Sequence, residues 1–291
     1  MKRTLVLAVM LAAQACIVGG SPAGSSGSVT GDGTEHGNGT GTGTGNTGTE
    51  VHIRSNTTWT GNQMIDAPTT IDPGVTLTVS AGTVVTFKAG TSLTIAGTLD
   101  AQGTRTSKIT FSPGAAPSFG PITVPTGGKL KFSYVEMTGA ELQTSGTGNV
   151  TITDSELSKA PGDLLVMNGG TMSFDYSNIG IEGGVDTTHC NMHFAGTGTN
   201  TIHVTHSNIR GVAFGVMFYS GVGANFTYNN WSNITNVDPT PGSVTGDFQN
   251  SYFKSNPPPA VSGITVTTPA LNAALALCTG SNDTTCAGPR P

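Results

Sequence analysis

The chain has 291 residues, of which only 10% are charged and 42 are glycine, and its formal net charge is −5. So little charge argues against amphipathic helices, whose exposed faces are built from Lys, Glu and Arg, and favours many short strands joined by turns. The acidic balance lacks the basic footprint of a nucleic-acid binder, so no nucleic acid is expected as a partner.

Residues 1–15 read as a signal peptide. Lys2 and Arg3 supply a positive start, and Leu5 to Ala13 form an apolar run too short to span a bilayer as a resident helix. Ala13-Gln14-Ala15 is a small-x-small cleavage site of the ordinary secretory kind. Cys16 follows it directly, where a bacterial lipoprotein carries its lipidated cysteine, although Ala13 stands where Leu is usual. The expectation is lipidation at Cys16, hence a membrane contact through an N-terminal lipid anchor only, at the outer membrane or cell surface. Plain secretion is the alternative. Residues 16–50 are rich in Gly, Ser and Thr, including the run Gly37 to Gly45, and bury too little apolar area to offset the entropy of ordering them. They read as a disordered tether that spaces the body from the membrane by about 30 Å.

Residues 51–72, with Trp59 and Ile65, are the candidate N-terminal cap. From Pro73 the sequence has a period of two. Val75, Leu77 and Val79 alternate with polar residues, then Val85 and Phe87, Leu93 and Ile95, Leu99, Ile109 and Phe111 resume after glycine-bearing turns. These turns lack the Asn-Gly and Asp-Gly pairs of tight hairpins, which argues against an antiparallel meander. A longer repeat follows. Leu130-x-Phe132-x-Tyr134-Val135-x-Met137 aligns with Val150-x-Ile152-x-Asp154-Ser155-x-Leu157, Met172-x-Phe174-x-Tyr176-Ser177-x-Ile179 and Ile202-x-Val204-x-His206-Ser207-x-Ile209. Phe226-x-Tyr228-x-Asn230 opens a fifth copy, with Trp231 where Ser stood, and Gly246-x-Phe248-x-Asn250-Ser251-x-Phe253 is the sixth. Starts every ~20 to 30 residues suit one solenoid turn, each copy being a strand, a bend and the start of the next strand. Stacking would give apolar ladders inside and Ser/Asn ladders at the corner. Residues 180–201 are expected to be the longest loop.

The stretch PGVTLTVSAGTVVTFKAGTSLTIAGTLDAQGTRTSKITF, with the copies after it, resembles the coils of bacterial β-helix proteins of the pectate-lyase-like superfamily. The resemblance covers roughly residues 59–256 and implies an all-β fold: a right-handed, single-stranded parallel β-helix. It implies no one activity, because the same shell carries lyases, hydrolases and adhesins. Relatives often place Trp-Gly-Ile where this chain has Phe119-Gly120-Pro121-Ile122, and Pro121 lacks a ladder donor, so that coil is expected to be irregular.

Residues 257–291 form a tail. Pro269 followed by Ala270 to Leu277 predicts a short helix. Cys278 and Cys286 bracket a small loop in an exported chain, which predicts a local disulfide. Cys190 is then odd, with pairing to a tail cysteine as an alternative. His189, Cys190 and His193, with Asp186 upstream, invite a metal reading but lack ordered ligand spacing, so no metal or other cofactor is expected. His203 and His206 should point to opposite faces.

A lyase of this superfamily needs clustered carboxylates on calcium and a nearby basic residue, and a glycoside hydrolase needs paired carboxylates. The outward rows through Lys131, Thr151, Ser173, His203 and through Ser133, Thr153, Asp175, Thr205 gather no acids on consecutive coils. No hydrolase motif or nucleophile elbow is present, so no catalytic residue is assigned. The expected function is a non-catalytic cell-envelope or surface-displayed protein for adhesion or glycan binding, with Trp231 and Tyr219 as glycan contacts and a polysaccharide or cell-surface glycan as partner. The alternative is a carbohydrate-active enzyme, a polysaccharide lyase or glycoside hydrolase, on an extracellular polymer.

Overall fold

A computed structural model describes residues 49–194, 200–218, 222–238, 244–256, 264–266 and 271–291. The signal peptide, Cys16, nearly all of the tether and Tyr219 lie outside the described residues.

The body is a parallel β-helix with three faces. Every strand pairing between turns is parallel, and each turn lays one strand on each face. The first face runs from Val51–Ile53 through Thr69–Ile71, Leu93–Ile95 and Ile122–Val124 to Thr235–Asp238. The second runs from Thr57–Trp59 through Thr76–Val79 and Lys129–Ser133 to Ile264–Val266. The third is a nine-stranded sheet from Asn62–Ile65 to Tyr252–Phe253. In Leu142–Thr153 and Asp163–Asp175 the first and second faces are continuous strands, shifted in register only at Gly146 and Asn149.

The alternation read from the sequence is the inside of this tube. On the second face the inward rungs are Leu77, Leu99, Leu130, Val150, Met172 and Ile202, and beside them Val79, Ala101, Phe132, Ile152, Phe174 and Val204, all buried. A fully buried Leu, Ile, Val or Phe contributes roughly 1.5–3 kcal/mol, so the ladder holds the coils together. The core is continuous, with Phe87 stacked on Phe119 at 4.0 Å and Phe226 on Phe248 at 4.9 Å.

The corner between the second and third faces is built from a left-handed residue on every coil of the long repeat. Tyr134, Asp154, Tyr176, His206, Tyr228 and Asn250 have φ of 50°, 49°, 49°, 50°, 61° and 55°. Such a conformation costs a non-glycine residue roughly 1–2 kcal/mol. Two stacks of contacts offset it. His206 lies between the rings of Tyr176 and Tyr228, with centroids at 4.6 and 5.0 Å. The next residue of each coil has its N–H captured by a side chain from the coil above: Val135 by Ser155, Ser155 by Ser177, Ser177 by Ser207, Ser207 by Asn229 and Asn229 by Ser251, at 2.8–3.2 Å. This is the hydrogen-bonded corner ladder the repeat implies.

Five local expectations are corrected. Residues 51–65 form a regular first turn, because Val51–Ile53, Thr57–Trp59 and Asn62–Ile65 pair with the next coil in register. Pro121 does not disrupt its coil, since it precedes the strand Ile122–Val124 and its carbonyl still accepts from Leu93 N–H at 3.1 Å. Within residues 180–201, Cys190–Phe194 is a buried strand of the first face, paired with Asp163–Asp175 and Phe214–Phe218. The fifth repeat begins two residues earlier than Phe226: Ile202 is opposite Ala224, so Tyr228 is the corner and Trp231 falls on the Ile209 rung. The described part of the expected tail helix is not helical, as residues 271–275 are bends and coil and Ala276–Leu277 is a strand paired with Cys286–Ala287. That pairing uses the backbone groups that a helix would need.

The Cys278–Cys286 disulfide is present, at an S–S distance of 2.02 Å. The tail it pins returns along the left-handed corner. Leu275 exchanges two hydrogen bonds with the Asn230 side chain, at 2.8 and 3.0 Å, and Gly288 N–H donates to the His206 carbonyl at 2.8 Å. Arg290 ends this run by grasping Asp154, 136 residues earlier in the chain.

Candidate functional site

The side chains able to do chemistry fall into three groups on the outside of the tube. The first lies on the third face, where Glu136 and Glu156 stand opposite each other on consecutive coils. Lys108 bridges them, with Nζ at 2.6 Å from Glu136 and 3.1 Å from Glu156. Partial burial works against the ammonium charge, but the two carboxylates outweigh it and raise the Lys108 pKa. This alignment of acids was missed because the rows read from the sequence belong to the second face.

The second group surrounds Asp163 at the start of the strand Asp163–Asp175. Its Oδ1 meets His189 Nδ1 at 3.1 Å and its Oδ2 meets His193 Nδ1 at 2.5 Å. Burial pushes the Asp163 carboxyl up, but hydrogen bonds from His193 and His189 prevail and hold it below its ordinary range. Glu141, from the preceding coil, behaves oppositely: burial raises it against a hydrogen bond from Gln143 at 2.8 Å, and the Asp163 charge raises it further. The Glu141 carboxyl lies against Gly162, where a Cβ would come within 2.4 Å of its Oε1. The Cys190 thiol takes no part, since it is buried and donates to the Met192 carbonyl at 2.8 Å. Asp186 is also elsewhere, capping the backbone N–H groups of Lys159, Ile181 and Thr188. Among the described residues no cluster of three or more His, Cys, Asp or Glu side chains is arranged to hold a metal ion.

The third group lines a groove of about 270 Å³ on the third face, walled on one side by the tail. Asn208, Asn230 and Tyr252 succeed one another on consecutive coils, and Arg210, Ser232 and Lys254 form the next outward row. Glu182 and Ala274 close the margins. Asn178, Asn208 and Asn230 form an amide ladder with 2.9 Å rungs, capped by the Leu275 backbone. Lys254 reaches Glu182 at 3.6 Å, and both are exposed. Arg210 makes a 3.5 Å contact from Nε to the Gly180 carbonyl and has no acidic partner among the described residues.

Trp231 was expected as a glycan contact, and the structure removes it from any stacking surface. Its side chain is 0% exposed, edge-on to Phe226 and stacked on Phe253, with Nε1 buried and unbonded. It lies on an inward rung, not at a corner. Tyr219 lies outside the described residues. His203 faces solvent and His206 sits in the corner, as their spacing predicts.

Comparison of the chain with protein-family models, with curated proteins and with solved structures finds no match in any of the three.

Proposed function

We propose that this protein is an exported, lipid-anchored β-helix of the pectate-lyase-like superfamily that displays a non-catalytic surface for adhesion or glycan binding. The observation that carries this reading is the pairing of the carboxylates that the coils bring together. Glu136 and Glu156 share Lys108, Asp163 is clasped by two histidines, and Asp154 is held by Arg290. Acids poised to hold a cation against an acidic substrate need open coordination positions, and these are already spent on neighbours. The anchor rests on Cys16 behind Ala13-Gln14-Ala15. Among the described residues no helix is long and apolar enough to cross a membrane.

One observation favours the enzymatic alternative. Glu141 and Asp163 sit on neighbouring coils with carboxyls shifted in opposite directions, the pattern of a general acid beside a fixed base. A glycan array probed with the purified protein, read beside reducing-end release from the bound polymers, separates the two. Binding without release supports the display reading. Release that disappears in Glu141→Gln replaces it with a carbohydrate-active enzyme.

A further inference from the structure

We infer that the groove between the third face and the C-terminal tail is a binding site for a small organic oxyanion, a carboxylate or a sulfate ester on a polar body about one ring in size. This rests on the reading of the protein as a binder, and adds to it a place and a charge class.

Charge is the first argument. Among the described residues Arg105, Lys129, Lys131, Lys159 and Arg210 have no acid within ion-pairing distance, and of these only Arg210 lines the groove. The residue is half-buried over the groove, its guanidinium makes the long Nε bond to Gly180, and among the described residues it forms no ion pair, the groove's one acid, Glu182, being paired with Lys254. Guanidinium forks fit planar oxyanions through two parallel hydrogen bonds. Lys254 lies two coils along the same row, which at about 4.8 Å per coil puts their backbones about 10 Å apart. Among the described residues its one acidic partner is Glu182, and an exposed ion pair at 3.6 Å is easily exchanged for a ligand.

Shape is the second argument. The groove encloses about 270 Å³, at the low end of small-molecule pockets, a scale that suits a single substituted ring better than an oligomer. Its floor offers the Ser232 hydroxyl, and Tyr252 provides a ring at one end, while the Asn230 amide is engaged with Asn208 and Leu275. Together the hydroxyl and the Tyr252 ring suit a ligand ring with an apolar face and a polar edge. Ala274 forms the outer wall, and the Leu275–Asn230 bonds and the Cys278–Cys286 disulfide hold that wall in place. The wall makes the site a groove rather than an open sheet.

The test is isothermal titration of the purified full-length protein with sodium glucuronate, glucose 6-sulfate and glucose at low ionic strength. The expected result is saturable binding of at least one anion and none of glucose. Preference for glucuronate assigns a carboxylate ligand, and preference for glucose 6-sulfate assigns a sulfate ester. Arg210→Gln should weaken binding at least tenfold, and Glu182→Gln should strengthen it a few-fold by releasing Lys254. Ala274→Trp leaves every charge in place and should abolish binding by filling the groove, with the thermal melt unchanged. No binding of either anion, equal binding of glucose, or full affinity in both Arg210→Gln and Ala274→Trp overturns the assignment. If both anions fail here while the glycan array shows binding, the groove is wrong and the display reading stands.

Discussion

Replacing Arg290 with Ala tests whether the tail is a fixed part of the fold. Asp154 is 3% exposed and accepts three hydrogen bonds from Arg290: from the backbone N–H at 2.9 Å, from Nε at 2.9 Å and from Nη2 at 2.6 Å. The guanidinium carbon also lies 4.2 Å from the centre of the Tyr176 ring. The hydrogen bonds to Asp154 outweigh burial and raise the Arg290 pKa. Arg290→Ala keeps the backbone donor and removes the other two, leaving a buried carboxylate without its counter-charge. Breaking a buried pair costs about 3–5 kcal/mol, and because Arg290 retains 25% exposure the lower end applies, about 3 kcal/mol. For a body of this size that is a fall in Tm of roughly 6–12 °C. A double-mutant cycle isolates the interaction. Asp154→Asn should lower the cost of Arg290→Ala to less than about 1 kcal/mol, because Asn carries no charge to strand. The assay is urea unfolding followed by far-UV circular dichroism for wild type, both single variants and the double variant. A coupling energy of less than about 0.5 kcal/mol would refute the reasoning, since Arg290 would then not be bound at the corner.

Ser177→Ala leaves the buried Ser155 N–H without its acceptor and should cost about 1–3 kcal/mol in the same unfolding assay, whereas His203→Ala on the exposed row should cost almost nothing. Trp231→Ala opens a cavity under Phe226, Phe248 and Phe253 and should destabilise by about 3–5 kcal/mol; a variant as stable as wild type would contradict its burial. Glu141 has a folded-state pKa above its ordinary 4.5, so its ionisation opposes folding and its contribution is lost as pH rises through the folded value. Glu141→Gln should therefore gain stability relative to wild type at pH 7 and lose that gain below about pH 4.5, and melts at pH 4 and 7 that show the reverse would remove the cause assigned to it. Asp163 has the opposite sign: its pairing with the histidines stabilises the fold above its ordinary 3.8 and fades as pH falls through the lower folded value, so Asp163→Asn should be most costly near neutrality.

Much of the tube could be read from one chain because its determinants are local and periodic. Inward Leu, Ile, Val and Phe alternate with Thr and Ser, and the corner Ser recurs at Ser155, Ser177, Ser207 and Ser251. The register failed where packing hides the period. Ala224 occupies an inward position too small to mark the period, because Trp231 and the Phe248 ring fill the tube at that level, whereas the Gly246 copy is legible in register from the Phe248, Asn250 and Ser251 that follow it. The Cys190–Phe194 strand is hidden in sequence for a similar reason: His193 and Asn191 interrupt its apolar alternation and are buried on bonds to distant residues. The tail eluded prediction because its partners are remote. Nothing near Arg290 in sequence announces Asp154, and nothing near Leu275 announces Asn230. The groove depends on the second of these, since Ala274 beside Leu275 is its wall on the tail side.

The most direct test of the display reading is size-exclusion chromatography with light scattering on a labelled acidic polysaccharide incubated overnight with the full-length protein. The account predicts that protein and polymer elute together and that the polymer keeps its starting mass. A polymer of reduced mass, with the loss abolished by Glu141→Gln, would contradict it and place catalysis at the Glu141–Asp163 pair.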